Sequence, residues 1–354
     1  MAEGAEKLNK LLADPKTTEI MVNGPKAVFL EKDGKTHRED SVTFSEKDIE
    51  DIVEEFFIKN GKMVSKNHPY ADLCLEGGSR FNIILAPMSR CGSSITIRKL
   101  SQEIQGLDDL LERDTMSINM ANFLKSCIKG KLNILFSGAT GTGKTTTLEM
   151  LSYSIPKDER IVTIENTAEL QLHQPNLVPL ETRDPDQEGR GGVTLKDLIK
   201  NALRMRPDRL ILGEVRGEEA LDMVQAMATG HKGTLAVVHG SSPKDILGRI
   251  EAMVLSSGIK LPLEEIRKML ASTLDIVVQH HRFTDGSRRI THITEVRDIQ
   301  QGEIILQDLF TFRREGKTPE GKIKGSFKTV MKRYPKFFTD LRRMNLIDDK
   351  IFSD

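Results

Sequence analysis

Along the first hundred residues, apolar positions come in short alternating runs broken by turn residues, the pattern of β-hairpins. Glu19–Asn23 and Ala27–Lys32 flank the turn Gly24-Pro25, and Asp33-Gly34 marks a second turn. Asp72–Glu76 and Arg80–Leu85 flank Gly77-Gly78 in the same way. In Ser93–Lys99 the alternation predicts Ile95 and Ile97 on one face, Thr96 and Arg98 on the other. Ser45-x-x-Asp48 has the form of a capping box, and Ile49, Ile52, Val53, Phe56 and Phe57 follow it at helical spacing.

The pattern then changes. Residues 101–115 are polar and aperiodic apart from a short helix over Leu107–Leu111, and read as a linker. A helix over Ile118–Ile128 opens a repeating order of apolar strand, loop and helix. The strands are Asn133–Ser137, Ile161–Glu165, Arg209–Leu212, Thr234–Val238 and Asp275–Gln279, with helices near 144–154, 194–205, 217–229 and 243–256. Such alternation predicts an α/β fold with a doubly wound, mostly parallel sheet. Arg289–Glu295 and Glu303–Phe312 return to antiparallel-like strands, followed by a basic helical segment. The expected domains are a mixed α/β unit over 1–100, the linker 101–115, and an α/β unit with a β and helical appendage over 116–354.

One loop fixes the chemistry. Gly138-Ala139-Thr140-Gly141-Thr142-Gly143-Lys144-Thr145 fits G-x-x-x-x-G-K-[ST], with a strand running in and a helix running out. The glycines let backbone N–H groups curl around phosphates with no Cβ in the way, and the helix aims its positive end at them. Lys144 reaches the β- and γ-phosphates, the Thr145 hydroxyl takes Mg²⁺, and Thr146 follows in the first turn. ATP and Mg²⁺ are therefore the expected ligands.

Hydrolysis needs carboxylates at neighbouring strand ends. Glu165 closes strand Ile161–Ile164, with Glu169 just beyond, and Glu214 follows the run Leu210–Leu212. Ligands of an open α/β sheet sit outside the carboxyl ends of its strands, where Glu165 and Glu214 both fall. His231 and His239 bracket strand Thr234–Val238, and His239, at the carboxyl end, suits a γ-phosphate sensor. Arg183, Arg190, Arg204, Arg206 and Arg209 lie between the carboxylate strands. A mobile arginine can neutralise transition-state charge from the same chain or a neighbour, and spacing alone does not choose among them.

Composition narrows the partners. Lys plus Arg and Asp plus Glu number 52 each, so any bias toward nucleic acid or membrane must be local. Aromatics at 5%, with no Trp, argue against a stacking platform for single strands. The local bias is in the tail. Arg313, Arg314, Lys317, Lys322, Lys324, Lys328, Lys332, Arg333, Lys336, Arg342 and Arg343 face only Glu315, Glu320 and Asp340, with Phe327, Tyr334, Phe337 and Phe338 interleaved. Such a segment suits docking on an acidic loop of a membrane protein or on anionic lipid; a solvated helical face is the plain alternative. The N-terminal sequence lacks the apolar run of a signal peptide, and runs such as Ile134–Phe136 and Leu235–Val238 are far too short to span a membrane. Cys74, Cys91 and Cys127 are widely spaced with no C-x-x-C, which predicts reduced, buried thiols and no zinc.

At these residues the sequence resembles a known family, the ATPases of type II and type IV secretion and pilus systems. The resemblance is greatest to the CpaF/TadA branch, the motors of tight-adherence (Flp-type) pili. Glu165-Asn166-Thr-Ala-Glu169-Leu170 is similar to the family's Asp box. Asn201–Gly217 is similar to its atypical Walker B, with Glu214 in place of Asp, and Gln225–His239 to its His box. Glu19–Gly24, Gly78–Asn82, Ile95–Lys99, Asp285–Glu295 and Leu306–Phe310 extend the match to nearly the whole chain. The resemblance implies a RecA-like motor domain in a homo-hexamer. ATP hydrolysis would power pilus assembly or retraction through inner-membrane platform proteins, with pilin engaged indirectly. A type IV secretion ATPase moving protein or DNA is the alternative. It further implies a cytoplasmic protein held peripherally at the inner face of the cytoplasmic membrane. By matched position, Arg80 and Arg98 contact nucleotide, and Glu165, Glu169 and Glu214 handle Mg²⁺ and the attacking water. Arg183, Arg204 and Arg206 match family arginines, one or more of which reaches a neighbouring site. The chain departs from the family at Asn166, usually Asp; at Ala228, usually Asn; and at Gly240-Ser241, usually Ala-Asn. It has no tetracysteine zinc element.

Overall fold

A computed structural model describes residues 3–32, 35–75, 78–99, 104–186 and 188–353 of the chain. The turn Asp33-Gly34, the Gly77 half of the second turn and the start of the linker lie outside these residues. The chain divides into two compact units, Met1–Glu103 and Ile104–Asp354.

Alternation in the first unit produces an antiparallel sheet. Its strands are β1 (Thr17–Asn23), β2 (Val28–Lys32), β3 (Lys35–Arg38), β4 (Tyr70–Cys74), β5 (Arg80–Ile84) and β6 (Ser94–Arg98), in the order β3-β2-β1-β6-β5-β4. Gly24 turns β1 into β2 at φ +76°, and a Cβ there would meet the Cys91 carbonyl oxygen at 1.9 Å, so conformation and close approach both require glycine. Ser45 caps the helix Glu46–Ile52 with the reciprocal Asp48 bond that its spacing predicts. That helix and a further one, Glu3–Ala13, cover a core that includes Leu8, Ile20, Phe57, Phe81, Ile95 and Ile97.

The second unit is built on nine strands: β7 (Ile134–Ser137), β8 (Ile161–Glu165), β9 (Leu177–Glu181), β10 (Arg209–Val215), β11 (Leu235–Val238), β12 (Ile276–Arg282), β13 (Arg288–Gln300), β14 (Glu303–Lys317) and β15 (Ile323–Thr329). Their order is β15-β14-β13-β12-β7-β11-β10-β8-β9. From β12 to β9 every pairing is parallel, and β13 to β15 are antiparallel. Both faces are covered, so successive residues of β7 feed opposite cores. Ile134 and Phe136 pack with Leu148, Ile211 and Val237, whereas Leu135 packs with Val162, Leu212, Ala236 and Val277.

Several expectations need correction. Leu177–Glu181 is a strand not read from the sequence because Pro179 interrupts it. Proline is tolerated there because β9 is the sheet's edge, where no ladder bond is lost on the outer side. A helix over Leu263–Thr273 was also not expected. The basic segment after Phe312 is mainly strand: β14 runs on to Lys317, β15 follows, and only Phe338–Arg343 is α-helical. The helix Leu107–Glu112, expected in a linker, lies in the second unit with Leu110 buried. Cys91 is exposed, not buried. Among the described residues no helix is long and apolar enough to cross a membrane.

Candidate active site

The parallel strands β7, β11, β10 and β8 all end on one edge, and the phosphate loop leaves from the middle of it. Gly138, Gly141 and Gly143 take φ of +152°, +72° and +95°, values that favour glycine. A Cβ on Gly138 would lie 2.6 Å from Thr142 Oγ1, so the loop closes on itself. Thr142 Oγ1 and Lys144 Nζ each donate to the Ala139 carbonyl at 2.8 Å, and Lys144 is buried. Ala139 and Thr140 are exposed at the loop's crest, and Thr145 and Thr146 are half-buried in the first turn of the helix Lys144–Ser152.

Glu214, His239 and Lys144 come together at this edge. Glu214 Oε2 pairs with Arg216, and Oε1 lies 2.7 Å from His239 Nε2. That close approach makes no hydrogen bond, and Oε1 is buried without a hydrogen-bond partner. Burial, the largest influence, pushes the Glu214 carboxyl up, but the Arg216 hydrogen bond and the charges of Arg216, His239 and Lys144 hold it below its ordinary value. Burial, reinforced by the Lys144 charge, keeps the His239 imidazole below 6.5 despite the pull of Glu214. An ionised carboxylate thus sits beside a neutral imidazole and a buried ammonium.

Glu165 closes β8, next to the strand that carries Glu214. Its oxygens are turned back onto its own loop, accepting Glu169 N–H at 3.0 Å and Leu170 N–H at 3.1 and 3.3 Å. Its side chain lies against Gly213, where a Cβ would fall 2.6 Å from Glu165 Cγ. Glu149, on the helix after the phosphate loop, accepts the next free N–H, that of Gln171, at 2.9 Å. The loop bearing Glu169 is therefore tied to β8 and to the phosphate-loop helix. Spacing did not single out Glu149, because a glutamate within a helix gives no signal.

The candidate arginines do not converge. Arg183 follows β9 on the same edge, but four strands from β7, roughly 19 Å at ordinary strand spacing. It bridges Val193, and its Nε donates to the Gly191 carbonyl at 2.7 Å. Arg204 and Arg206 are exposed in the turn leading into β10, at the opposite end of the parallel strands from Glu214. His231 precedes β11 and shares that far end, with Nδ1 3.3 Å from Thr229 Oγ1. Arg209 is fully buried in an ion pair with Glu159. Arg80 and Arg98, in the first unit, are exposed register partners on β5 and β6, with Arg98 Nε 3.5 Å from Glu19 Oε1. Arg216 and Arg288 do stand at the site, and the charge of Arg249 reaches His239. Arg288 Nε donates to the Gly141 carbonyl at 2.9 Å, and the side chain borders a cavity of about 260 Å³ with Ile104, Leu110, Arg113, Thr142 and Thr146. Nothing local marks Arg288, since its hairpin reaches the loop only because β12 pairs with β7.

The profile of the type II/IV secretion system protein family matches residues 1–303. A Mycobacterium tuberculosis protein named for conjugal transfer is 31% identical over 304 residues, covering 84% of this chain and 86% of its own. The type IV secretion system protein VirB11 of Bartonella henselae is 31% identical over 327 residues, covering 81% and 90%. Among solved structures, the pilus retraction motor PilT with bound ADP shares the fold at a TM-score of 0.59 and 16% identity, covering 96% of this chain and 86% of that one.

Proposed function

The chain belongs to the type II/IV secretion system protein family and is an ATPase, and on that premise we propose that it powers type IV secretion, moving protein or DNA as a subunit of a homo-hexameric ring. The observation that carries this reading is the convergence of Lys144, Glu214 and His239 at adjoining strand ends, in a chain 31% identical to a VirB11 over 327 residues.

Lys144 exchanges the Ala139 carbonyl for β- and γ-phosphate oxygens, while the loop N–H groups and the helix end hold the remaining charge. Glu214, kept ionised, accepts the hydrogen bond of the attacking water at its unpartnered Oε1. His239, neutral and within reach of that oxygen, responds to the γ-phosphate. Mg²⁺ fits this corner, because Thr145 offers a hydroxyl and Glu214 an ionised carboxylate whose Oε1 makes no hydrogen bond and could meet the ion directly or through a water. Bound there, it would neutralise phosphate charge. Glu165 holds the loop that presents Glu169, and the cavity beside Arg288 takes the base or ribose. By matched position alone, Arg80 and Arg98 are further candidates to contact nucleotide. One or more of Arg183, Arg204 and Arg206 serves the site of a neighbouring subunit. The ring works at the inner face of the cytoplasmic membrane on platform proteins, and the basic β14–β15 hairpin contributes to docking there.

The second reading is a tight-adherence pilus motor of the CpaF/TadA kind, the branch that the sequence motifs resemble. In the organism that carries this chain, Glu214→Gln should abolish transfer of protein or DNA. The purified variant should keep its ATP affinity while turnover falls roughly 10²–10⁴-fold. Loss of surface pilin with intact transfer would put the pilus reading first, and equal losses of affinity and turnover would make Glu214 structural.

A further inference from the structure

Gln279 pairs in register with Ser137, the last residue of β7 before the phosphate loop. On the other side of Ser137 stands Val238 of β11, followed by His239 and Gly240. Parallel register partners point to one face, so Gln279, Ser137 and Val238 share a face at the end of the sheet. Gln279 is 4% exposed. Its Nε2 donates to the Gly240 carbonyl at 3.2 Å and to the His280 carbonyl at 3.2 Å. That His280 carbonyl would lie only 2.8 Å from a Cβ on Gly138. One side-chain amide therefore holds the backbone on both sides of Ser137: the exit of β11 that carries His239, and the wall of the phosphate loop.

The rest of the cluster is unfinished. Gln279 Oε1 and Ser137 Oγ are both buried and have no hydrogen-bond partner. Such orphans are few in folded proteins and call for an explanation. An apolar side chain of the same length would remove the orphaned oxygen but also the donor to the Gly240 and His280 carbonyls, so glutamine is here for its hydrogen bonds and not for packing. The hydroxyl can donate and the amide oxygen can accept, so a small movement of either strand end would satisfy both.

We infer that Gln279 is a positioning residue that couples the phosphate loop to His239, its free Oε1 and the Ser137 hydroxyl closing the link when nucleotide fills the loop. This rests on the reading of His239 as the group that responds to the γ-phosphate. Glu214 itself is not touched by Gln279; the effect passes through the Gly240 carbonyl.

The test uses purified full-length protein in its assembled form. Gln279→Met, which keeps length and removes the amide, should bind ADP and a non-hydrolysable ATP analogue within about twofold of wild type and lose about tenfold in kcat. In a His239→Gln background the same change should cost nothing further, because the link then has nothing to position. Gln279→Asn is polar but too short to reach Gly240, and should reproduce the kcat loss if the Met variant does not fold. Glu214→Gln is run alongside; if it turns over like wild type, the reading of the site fails and takes this inference with it. With Glu214 behaving as expected, an unchanged kcat, equal losses of affinity and kcat, or additive losses in the double variant would each overturn the coupling.

Discussion

Glu149 and Glu165 hold one loop from two sides, and both do so from buried positions. Burial, the largest influence, raises each carboxyl from 4.5 to about 7, and the nearby Glu169 charge adds to it. Between 4.5 and about 7 the folded chain therefore binds more protons than the unfolded one. Their contribution to stability is complete below 4.5 and is lost as pH rises through about 7. His280 runs the other way: burial lowers it from 6.5 to about 4, so its contribution is present above 6.5 and lost as pH falls toward 4. Glu149→Gln keeps an acceptor for the Gln171 N–H and removes one of the titrating groups. Its melting temperature relative to wild type should rise as pH goes from about 5 to about 8. A difference constant over that range would mean that Glu149 is ionised throughout.

At the scale of elements, what the sequence made legible was local, and what it hid was pairing. The alternation Ile95, Thr96, Ile97, Arg98 is realised in β6, where the two isoleucines are buried and Thr96 and Arg98 exposed. The phosphate loop needs only its own residues and two neighbours, and the expected strand before it and helix after it both form. Gln279 and Arg288 reach the loop only because β12 lies beside β7, about 140 residues away in sequence, and no spacing announces that. In the tail, abundant lysines obscured a strand whose buried Ile323 and half-buried Phe327 alternate with exposed Lys324 and Lys328. The aromatic part of that hairpin is core: Phe312 and Phe327 stand 5.1 Å apart, and Arg289 lies 4.7 Å over the Phe312 ring. Lys336, which looks like one more tail cation, is structural, its N–H bound to Glu295 at 2.6 Å and its Nζ 3.8 Å from Asp275. Arg313, Lys324 and Lys328 are exposed and free to be changed without disturbing that core. Reversing these three to Glu should leave the melting temperature and ATPase rate near wild type. It should also weaken binding to anionic vesicles by roughly 10²-fold or more, at about 1 kcal/mol for each cation lost. Unchanged vesicle binding would make the hairpin a structural cap and no more.

For the whole molecule the decisive feature is the distance between the arginines and the site. Arg204 and Arg206 stand before β10 and Glu214 near its end, five residues on from Arg209, or roughly 16 Å of extended strand. They can act on a γ-phosphate only in another chain. Lys144→Ala and Arg206→Ala should each be inactive alone, and mixing them should restore turnover, because some sites then join one intact half from each. A transferred arginine is worth roughly 10³–10⁵ in rate, so rare intact sites would be measurable. No recovery with any of Arg183, Arg204 or Arg206, together with strictly linear dependence of rate on protein concentration, would place each site within one chain.

The parallel strands also give the second unit a direction, with the phosphate loop at one end and the exposed arginines at the other. A two-fold pair with its strands antiparallel would set the loop end of each subunit against the arginine end of the other, and it closes without growing further. Head-to-tail contact completes one site per junction. On the shared-site reading, an open row has one fewer working site than it has subunits. Each arrival adds a single site until the last, and the subunit that closes the ring adds two.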